Sequence, residues 1–375
     1  MIRIHVLTEE SSQSSIAFNE PLRMHHRLLR EGGADVRLVQ GPPSPALYDA
    51  DVLFINDNVF GSRWPGLSGP VETLLEQGLA GSARLVWFDT SDSSGTPEFE
   101  VLPYVNLYCK SVVLVERTGY LEEHYGGRIY TDYYHRREGV EDAGEERARL
   151  HRVLPRQQDL SRIRLSWNAA LGDYGARGHL YRRLQRWLPG FNAYASRFFP
   201  PGEGRTVGVS CRLGLHHERA TLLCHRNGVR SILERDFGIS TGPVPRSDYL
   251  NELRAARVGV SPFGYGEICF RDFEIILAGA ALLKPDLSHL ETWPALYVPG
   301  ETYAAHRWDF TDLSRVLDDL LTRGRWRDLA EAAQRTYRHY LLDEDGHAEF
   351  CERVVAIARE ALWSADERRV VTRCA

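Results

Sequence analysis

The chain has 375 residues, of which 43% are hydrophobic and 26% are charged, and its formal net charge is −5. This length is too great for one ordinary core and suits two domains. The mild acidity argues against a nucleic-acid partner, because proteins that bind nucleic acids usually carry a basic surface.

The cysteines and the N-terminus indicate where the protein works. None of the six cysteines belongs to a C-x-x-C pair, so zinc-ribbon spacing is absent. Several lie in apolar runs such as VNLYCKSVVLV, where a thiol packs as a small hydrophobe. The N-terminal MIRIHVLTEESS lacks the apolar core of a secretory signal, and no apolar stretch reaches the ~18 residues of a membrane span. We therefore expect a cytoplasmic protein without a membrane span.

The first half reads as alternating strands and helices. IRIHVLT, DVRLVQG, DVLFIND and RLVWFDTSD are strand-like, EPLRMHHRLLREGG and GPVETLLEQGLAG are helix-like, and NLYCKSVVLVE is a further strand or the start of a helix. This alternation predicts a parallel, doubly wound sheet, in which ligands bind beyond the carboxyl ends of the strands. Residues 56–58 and 89–92 follow two of these strands. The charged stretch 136–164 reads as a surface loop with an exposed helix, and ASRFFPPGEGR reads as a linker.

The second half begins again with a strand, TVGVSCR. HERATLLCHRNGV and RSDYLNELRAA are helix-like, and SILERDFG is a strand or turn between them. RVGVSPFGYG is a strand that enters a Gly-rich loop, DFEIILAGAA is a helix, and LLKPD and WPALYVPG are short strands. Three amphipathic helices complete the chain.

One segment, GYGEICFRDFEIILAGAALLKP, places charged side chains where a strand meets a helix. Gly264 and Gly266 punctuate the loop, and Glu267, Arg271 and Glu274 follow near one face of a helical turn. Glycines let backbone N–H groups approach an anion, the helix N-terminus is partly positive, and a guanidinium suits phosphate. A carboxylate one turn further can accept hydrogen bonds from ribose hydroxyls. The segment therefore predicts a ribose-diphosphate site. The alternative is that the acids only stabilise the first helical turn and pair with Arg271.

The order of strand, S-P-F-G, Arg-x-Phe-Glu and an apolar helix with A-G-A-x-L-L-K-P-D resembles the donor site of GT-B glycosyltransferases, and most closely the group 1 and CgeB/YkvP-like proteins. The resemblance implies two Rossmann-like α/β domains that face a cleft holding a nucleotide-sugar. It implies that Glu274 holds the ribose, that Gly264 and Gly266 approach the diphosphate, and that Glu267 contacts the donor sugar. Group 1 proteins have seven residues between the two acids, whereas six separate Glu267 from Glu274 here.

The resemblance extends to TVGVSCRLG. It implies that Arg212 reaches the donor phosphates and that Arg219 takes the place of a second basic residue; the alternatives are an exposed strand-end arginine and a helix-surface arginine. It also implies residues 1–195 as a Rossmann-like acceptor domain, 196–344 as the nucleotide-sugar-binding domain, and 345–375 as a C-terminal helix that crosses back to the first domain.

Candidates for a catalytic base lie in the first half. Asp89 and Asp92 follow a strand end that faces the expected cleft, and Asp57 is the next candidate. The alternative is that these acids only cap and turn their loops. DTSD has the wrong spacing for a metal-binding D-x-D, and proteins with this fold usually work without a cation, so we expect no metal and no cofactor other than the nucleotide-sugar co-substrate. HExxH, GxSxG, GxxxxGK[ST] and an early GxGxxG are absent.

The leading hypothesis is a metal-independent glycosyltransferase that moves a sugar from a nucleoside diphosphate to a small-molecule or glycan acceptor. A non-catalytic ligand- or partner-binding protein on the same scaffold is the alternative. A two-domain solute-binding protein is disfavoured by the missing export signal. The donor base and sugar, the acceptor, the stereochemical outcome and the oligomeric state stay open.

Overall fold

Two parallel β-sheets form the framework of the protein. The computed structural model describes residues 1–61, 66–67, 69–144, 153–175, 178–187, 193–214 and 219–363. The first sheet has the strand order β2-β1-β3-β4-β5-β7. Its strands are β1 (Ile2–Leu7), β2 (Ala34–Val39), β3 (Val52–Asn56), β4 (Arg84–Asp89), β5 (Leu107–Lys110) and β7 (Ile163–Leu165). The order changes direction beside β1, which is the switch point of a doubly wound sheet.

The second sheet has the order β12-β10-β9-β8, so its strands follow one another across the sheet without a change of direction. Its strands are β8 (Val207–Ser210), β9 (Ala256–Val260), β10 (Ala281–Pro285) and β12 (Ala304–His306). A short antiparallel ribbon of β6 (Val112–Leu114) and β11 (Leu290–Thr292) joins the two halves, with Leu114 opposite Leu290. β3 apart from Asn56, and β10 apart from Lys284, are apolar, and both strands are wholly buried, as expected for parallel strands covered on both faces.

Helices surround both sheets. In the first half they are α1 (Gln13–Met24), α2 (His26–Glu31), α3 (Pro70–Ala80), α4 (Ile129–Glu138) and α5 (Gly178–Trp187). In the second half they are α6 (Ala220–Phe237), α7 (Arg246–Ala255), α8 (Phe270–Ala278), α9 (Leu313–Thr322), α10 (Trp326–Leu342) and α11 (Glu344–Trp363). One apolar core runs through both halves, and a smaller one lies within the second.

The carboxyl edges of the two sheets meet. Ser94, in the loop after β4, donates hydrogen bonds to Glu267, in the loop after β9. The two parallel sheets, their helices and these facing edges confirm the predicted α/β class of two Rossmann-like units in a GT-B arrangement.

Several local predictions were wrong, each for a physical reason. SILERDFG continues α6, because a single interior glycine, Gly228, does not end the helix; its missing side chain makes room for Phe310, whose Cε2 would lie 2.4 Å from a Cβ there. WPALYVPG forms no strand, and its Trp293–Pro294 bond is cis. The charged stretch 136–164 runs into β7, whose buried Ile163 pairs with β5; three residues are too few for an apolar pattern. Residues 145–152 of that stretch lie outside the described chain.

NLYCKSVVLVE forms two strands, β5 and β6, separated by Ser111.

The last helix, α11, packs against β3, β4 and α2 of the first half. Its Phe350 contacts Trp167 edge to face at 5.2 Å between ring centroids. The domain limits at residues 195 and 344 stay a prediction. Within the described ranges, no helix is both long enough and apolar enough to span a bilayer.

Candidate functional site

A cavity of about 320 Å³ lies beside the carboxyl end of β8, and we call it the α7–α8 cavity. Its walls are residues 212–214 after β8, Pro243 and Val244 before α7, Arg246 and Tyr249 on α7, and Arg271 and Glu274 on α8. Three residues predicted from the sequence, Arg212, Arg271 and Glu274, therefore meet at one place. The position agrees with the general rule for ligand sites in parallel sheets.

Arg271 is the uncompensated charge of this cavity. Its Nε donates to Ser261 Oγ at 3.2 Å, Nη1 to the Arg212 carbonyl at 3.1 Å and Nη2 to the Pro262 carbonyl at 3.1 Å. All three acceptors are neutral, and the described residues offer Arg271 no carboxylate within ion-pair distance. The predicted alternative, a simple pair between Arg271 and a neighbouring acid, is wrong. These bonds hold the guanidinium in place and leave its charge for an anion.

Arg212 is differently placed, because its charge is already compensated. Its Nε lies 3.1 Å from both carboxylate oxygens of Glu252, and Nη1 donates to the carbonyls of Ser240 at 3.1 Å and Gly242 at 3.2 Å. Arg212 thus anchors residues 240–242, which lead into the Pro243 and Val244 wall of the cavity. A contact of Arg212 with donor phosphates stays a prediction.

Glu274 lies where three cavities meet. Besides the α7–α8 cavity, it lines one of about 380 Å³ next to Phe199 and Arg254, and one of about 320 Å³ between α1 and α8. We call the last the α1–α8 cavity. Only 11% of the Glu274 side chain is exposed, and its Oε1 accepts a hydrogen bond from Arg246 Nη2 at 2.7 Å.

Tyr249 is a polar group of the α7–α8 cavity that sequence reasoning missed. Its hydroxyl oxygen is buried and makes no hydrogen bond to any described residue. Burial, followed by the charge of Glu274, raises the pKa of Tyr249, although the two groups do not meet with hydrogen-bond geometry. A ligand hydroxyl would satisfy this oxygen.

The Gly-rich loop lies against the first half of the chain. A Cβ on Gly266 would stand 1.9 Å from the Asp92 carbonyl oxygen, and the Gly264 carbonyl accepts from the Tyr130 hydroxyl at 2.9 Å. Glu267 is fully buried and accepts from Ser94 N at 2.9 Å and Ser94 Oγ at 2.8 Å. Gly264, Gly266 and Glu267 therefore form a contact between the halves, and their roles toward diphosphate and donor sugar stay predictions.

The buried Asp272–Lys284 pair supports this loop from below, and sequence reasoning missed it. Both side chains are fully buried, and Lys284 Nζ lies 3.2 Å from Asp272 Oδ2. Asp272 also accepts from the Cys269 backbone at 3.1 Å and from the Tyr297 hydroxyl at 2.9 Å, so it caps α8. The signal in the sequence was a lysine inside the apolar strand ALLKP.

The acids of the first half differ in what they can do. Asp89 is buried and accepts from Lys110 Nζ at 2.7 Å, Tyr108 Oη at 2.6 Å and Ser91 N at 3.0 Å, so both of its oxygens are engaged. Asp92 is exposed to solvent, yet the protein packed around it raises its pKa by desolvation. Desolvation, followed by the charge of Asp89, also raises the pKa of Asp57, which favours a carboxyl group that can exchange a proton. Which of them acts as a base stays a prediction.

Arg219 is 1% exposed, and its guanidinium lies 5.2 Å from the centroid of the Tyr265 ring. The helix-surface alternative for this residue is wrong, because it is buried beside the Gly-rich loop. A phosphate contact stays a prediction for Arg219. Among the described residues, no group of three or more His, Cys, Asp or Glu side chains could hold a metal ion.

Glu20 lies behind the α1–α8 cavity as a fully buried carboxylate. Its Oε2 accepts from Asp173 N at 2.9 Å and lies 4.0 Å from Arg182 Nη1, whereas no described residue hydrogen-bonds to Oε1. Burial, followed by the charge of Asp173, raises the pKa of Glu20 to about 7. The folded state therefore holds a proton that the unfolded chain releases near its ordinary pKa.

Stability is thus expected to fall as pH rises from about 4.5 to about 7, the interval between the ordinary and the raised pKa of Glu20. Glu20→Gln stays neutral, so it should unfold at a higher denaturant concentration than the parent at pH 8, with a gain of about 3 kcal/mol at most. The gain should vanish near pH 4.5. Urea titrations at both pH values test this, with the exposed Glu331→Gln as control. Equal gains at both pH values would refute the protonation argument.

No protein-family model matches the sequence, and no curated protein matches it. Among solved structures, Anabaena Alr3699/HepE in complex with UDP is similar, with 10% identity over 95% of this chain and 100% of that chain and a TM-score of 0.43. An alpha-glucosyltransferase with UDP has 10% identity over 95% and 100% of the two chains and a TM-score of 0.39. The pneumococcal O-GlcNAc transferase GtfA with UDP and GlcNAc has 9% identity over 83% and 57%, and a TM-score of 0.43. Identities and TM-scores this low do not place the chain in a family.

Proposed function

We propose that the protein is a glycosyltransferase that uses a nucleoside-diphosphate sugar, and that the nucleotide occupies the α7–α8 cavity. The observation that carries this proposal is the placement of Arg271, which has no carboxylate partner among the described residues, one helical turn from Glu274 on the same cavity wall. A cation for phosphate and an acid for vicinal hydroxyls are the two needs of a ribose diphosphate. The cavity volume of about 320 Å³ is at the lower end of ligand pockets, which suits a nucleotide portion.

Each residue then has a physical task. Glu274 accepts hydrogen bonds from the ribose hydroxyls, and the neighbouring Tyr249 hydroxyl adds a donor. Arg271 and the N-terminus of α8 stabilise the negative charge that develops on the leaving diphosphate. These fixed groups can act without a metal ion, and Asp57 or Asp92 of the facing sheet would take the proton of the acceptor. The acceptor, a small molecule or a glycan, meets the donor between the halves.

Calorimetry with UDP, GDP and dTDP tests the nucleotide site. We expect one of them to bind, and Glu274→Ala to weaken binding by about 1–3 kcal/mol, the scale for a hydrogen bond to a charged group. Arg271→Gln should weaken nucleoside diphosphates more than the nucleoside. Glu331→Ala, exposed on α10, is the control. Parent-like binding by Glu274→Ala would refute the assignment of the site.

One observation favours the second candidate, a protein that binds the ligand without chemistry. Both carboxylate oxygens of Glu267 are engaged by Ser94, so the acid expected at the donor sugar is occupied. Release of free sugar from any bound nucleotide-sugar, even slowly, would rule this candidate out. Tight binding without turnover toward a panel of acceptors would support it.

A further inference from the structure

Resting on the proposed function, we propose that Arg246 is an exchangeable counter-ion that pairs with Glu274 until a nucleoside diphosphate binds, and then moves to the diphosphate. Arg246 would thereby make the site select nucleoside diphosphates over nucleosides. Arg246 belongs to no motif of the sequence.

The two side chains of the Arg246–Glu274 pair differ greatly in their exposure to solvent. Arg246 Nη2 lies 2.7 Å from Glu274 Oε1, but 67% of the Arg246 side chain is exposed against 11% for Glu274. The carboxylate is held within the wall, whereas the guanidinium reaches it from solvent. A pair with one such exposed partner contributes little to stability, so it can be exchanged at low cost.

Arg246 also stands between two cavities. It is the first residue of α7, and it lines both the α7–α8 cavity with Arg271 and the α1–α8 cavity with Arg182. An anion that lies between these cavities is within reach of this long, exposed side chain. A planar guanidinium offers paired donors to phosphate oxygens.

The exchange of Arg246 couples the binding of the ribose to the binding of the diphosphate within one ligand. Ribose hydroxyls compete with Arg246 for Glu274, so a nucleoside alone must displace the guanidinium into water. A diphosphate accepts that guanidinium, and the displacement is then compensated. Removing Arg246 should therefore weaken the diphosphate and leave the nucleoside bound equally well or better.

The test compares Arg246→Gln with the parent by calorimetry, using the nucleoside diphosphate that binds best and its nucleoside. We expect the ratio of the two dissociation constants to shrink by about tenfold, with the nucleoside bound no more weakly than by the parent. Arg246→Lys should retain part of the preference. Arg335→Gln, an exposed arginine on α10, should leave the ratio unchanged.

A parent-like ratio in Arg246→Gln, or equal weakening of both ligands, overturns this inference and leaves the nucleotide site intact. Failure of the parent to bind any nucleoside diphosphate overturns the proposed function and this inference together. Because Arg246 is mostly exposed, the variant should fold, and an unchanged melting temperature verifies this.

Discussion

Asp272→Asn is expected to lower the free energy of unfolding by about 3–5 kcal/mol, the cost of leaving a buried charge without its partner. The substitution keeps the shape of the side chain, removes its charge and replaces one acceptor oxygen with an N–H donor. Lys284 would remain fully buried, with the Ser261 carbonyl at 3.3 Å as its other acceptor. Chemical denaturation at neutral pH measures the effect.

A second substitution separates the charge from the hydrogen bonds. Lys284→Met removes the orphaned ammonium, so Asp272→Asn combined with Lys284→Met should be more stable than Asp272→Asn alone. Such a rescue is the sign of a direct pair interaction. A loss below about 1 kcal/mol for Asp272→Asn would show that water reaches Lys284 and that the pair contributes little.

Gly266→Ala is expected to destabilise the protein by about 3 kcal/mol, at the upper end for an overpacked site. The new Cβ would stand 1.9 Å from Asp92 O, 2.1 Å from Asp92 C and 2.7 Å from Ser93 N, all of them backbone atoms that cannot rotate away. The loops must separate, which also strains the two Ser94–Glu267 hydrogen bonds. Urea denaturation followed by tryptophan fluorescence measures the change.

Gly204→Ala is the matched control for Gly266→Ala. Gly204 has no atom within 4 Å of its ideal Cβ, and its φ lies outside the left-handed region. We expect this control to stay within about 0.5 kcal/mol of the parent. Parent-like stability of Gly266→Ala would mean that the halves do not meet at this loop.

Much of the fold could be predicted from the sequence, because the spacing of apolar residues along a strand or helix indicates which side chains are buried. Strands such as β3, apolar except for Asn56, and helices such as α11, with a regular apolar stripe, are specified by their own residues. The wrong predictions concern places where a contact with a residue remote in the sequence determines the local structure. The glycine at position 228 inside α6 leaves space for Phe310, which is remote in the sequence, and β7 is a strand through its pairing with β5.

The site divides in the same way. Arg271 and Glu274 could be predicted to share a cavity wall, because helical spacing alone sets their relation. Partners from remote segments could not be predicted: Glu252 for Arg212, Ser94 for Glu267 and Arg246 for Glu274. The local sequence indicates where a charged side chain lies on its helix or strand. Its oppositely charged partner comes from a remote segment and depends on the fold of the whole chain.

The return of α11 to the first sheet has a mechanical consequence. Within the residues that the structure describes, the chain crosses between its halves twice, once before β8 and once between α10 and α11, so two connections rather than one link the halves. Two crossing points define a line, and rotation about that line strains the connections least. Any opening of the cleft between the two halves should therefore be a rotation about this single hinge axis.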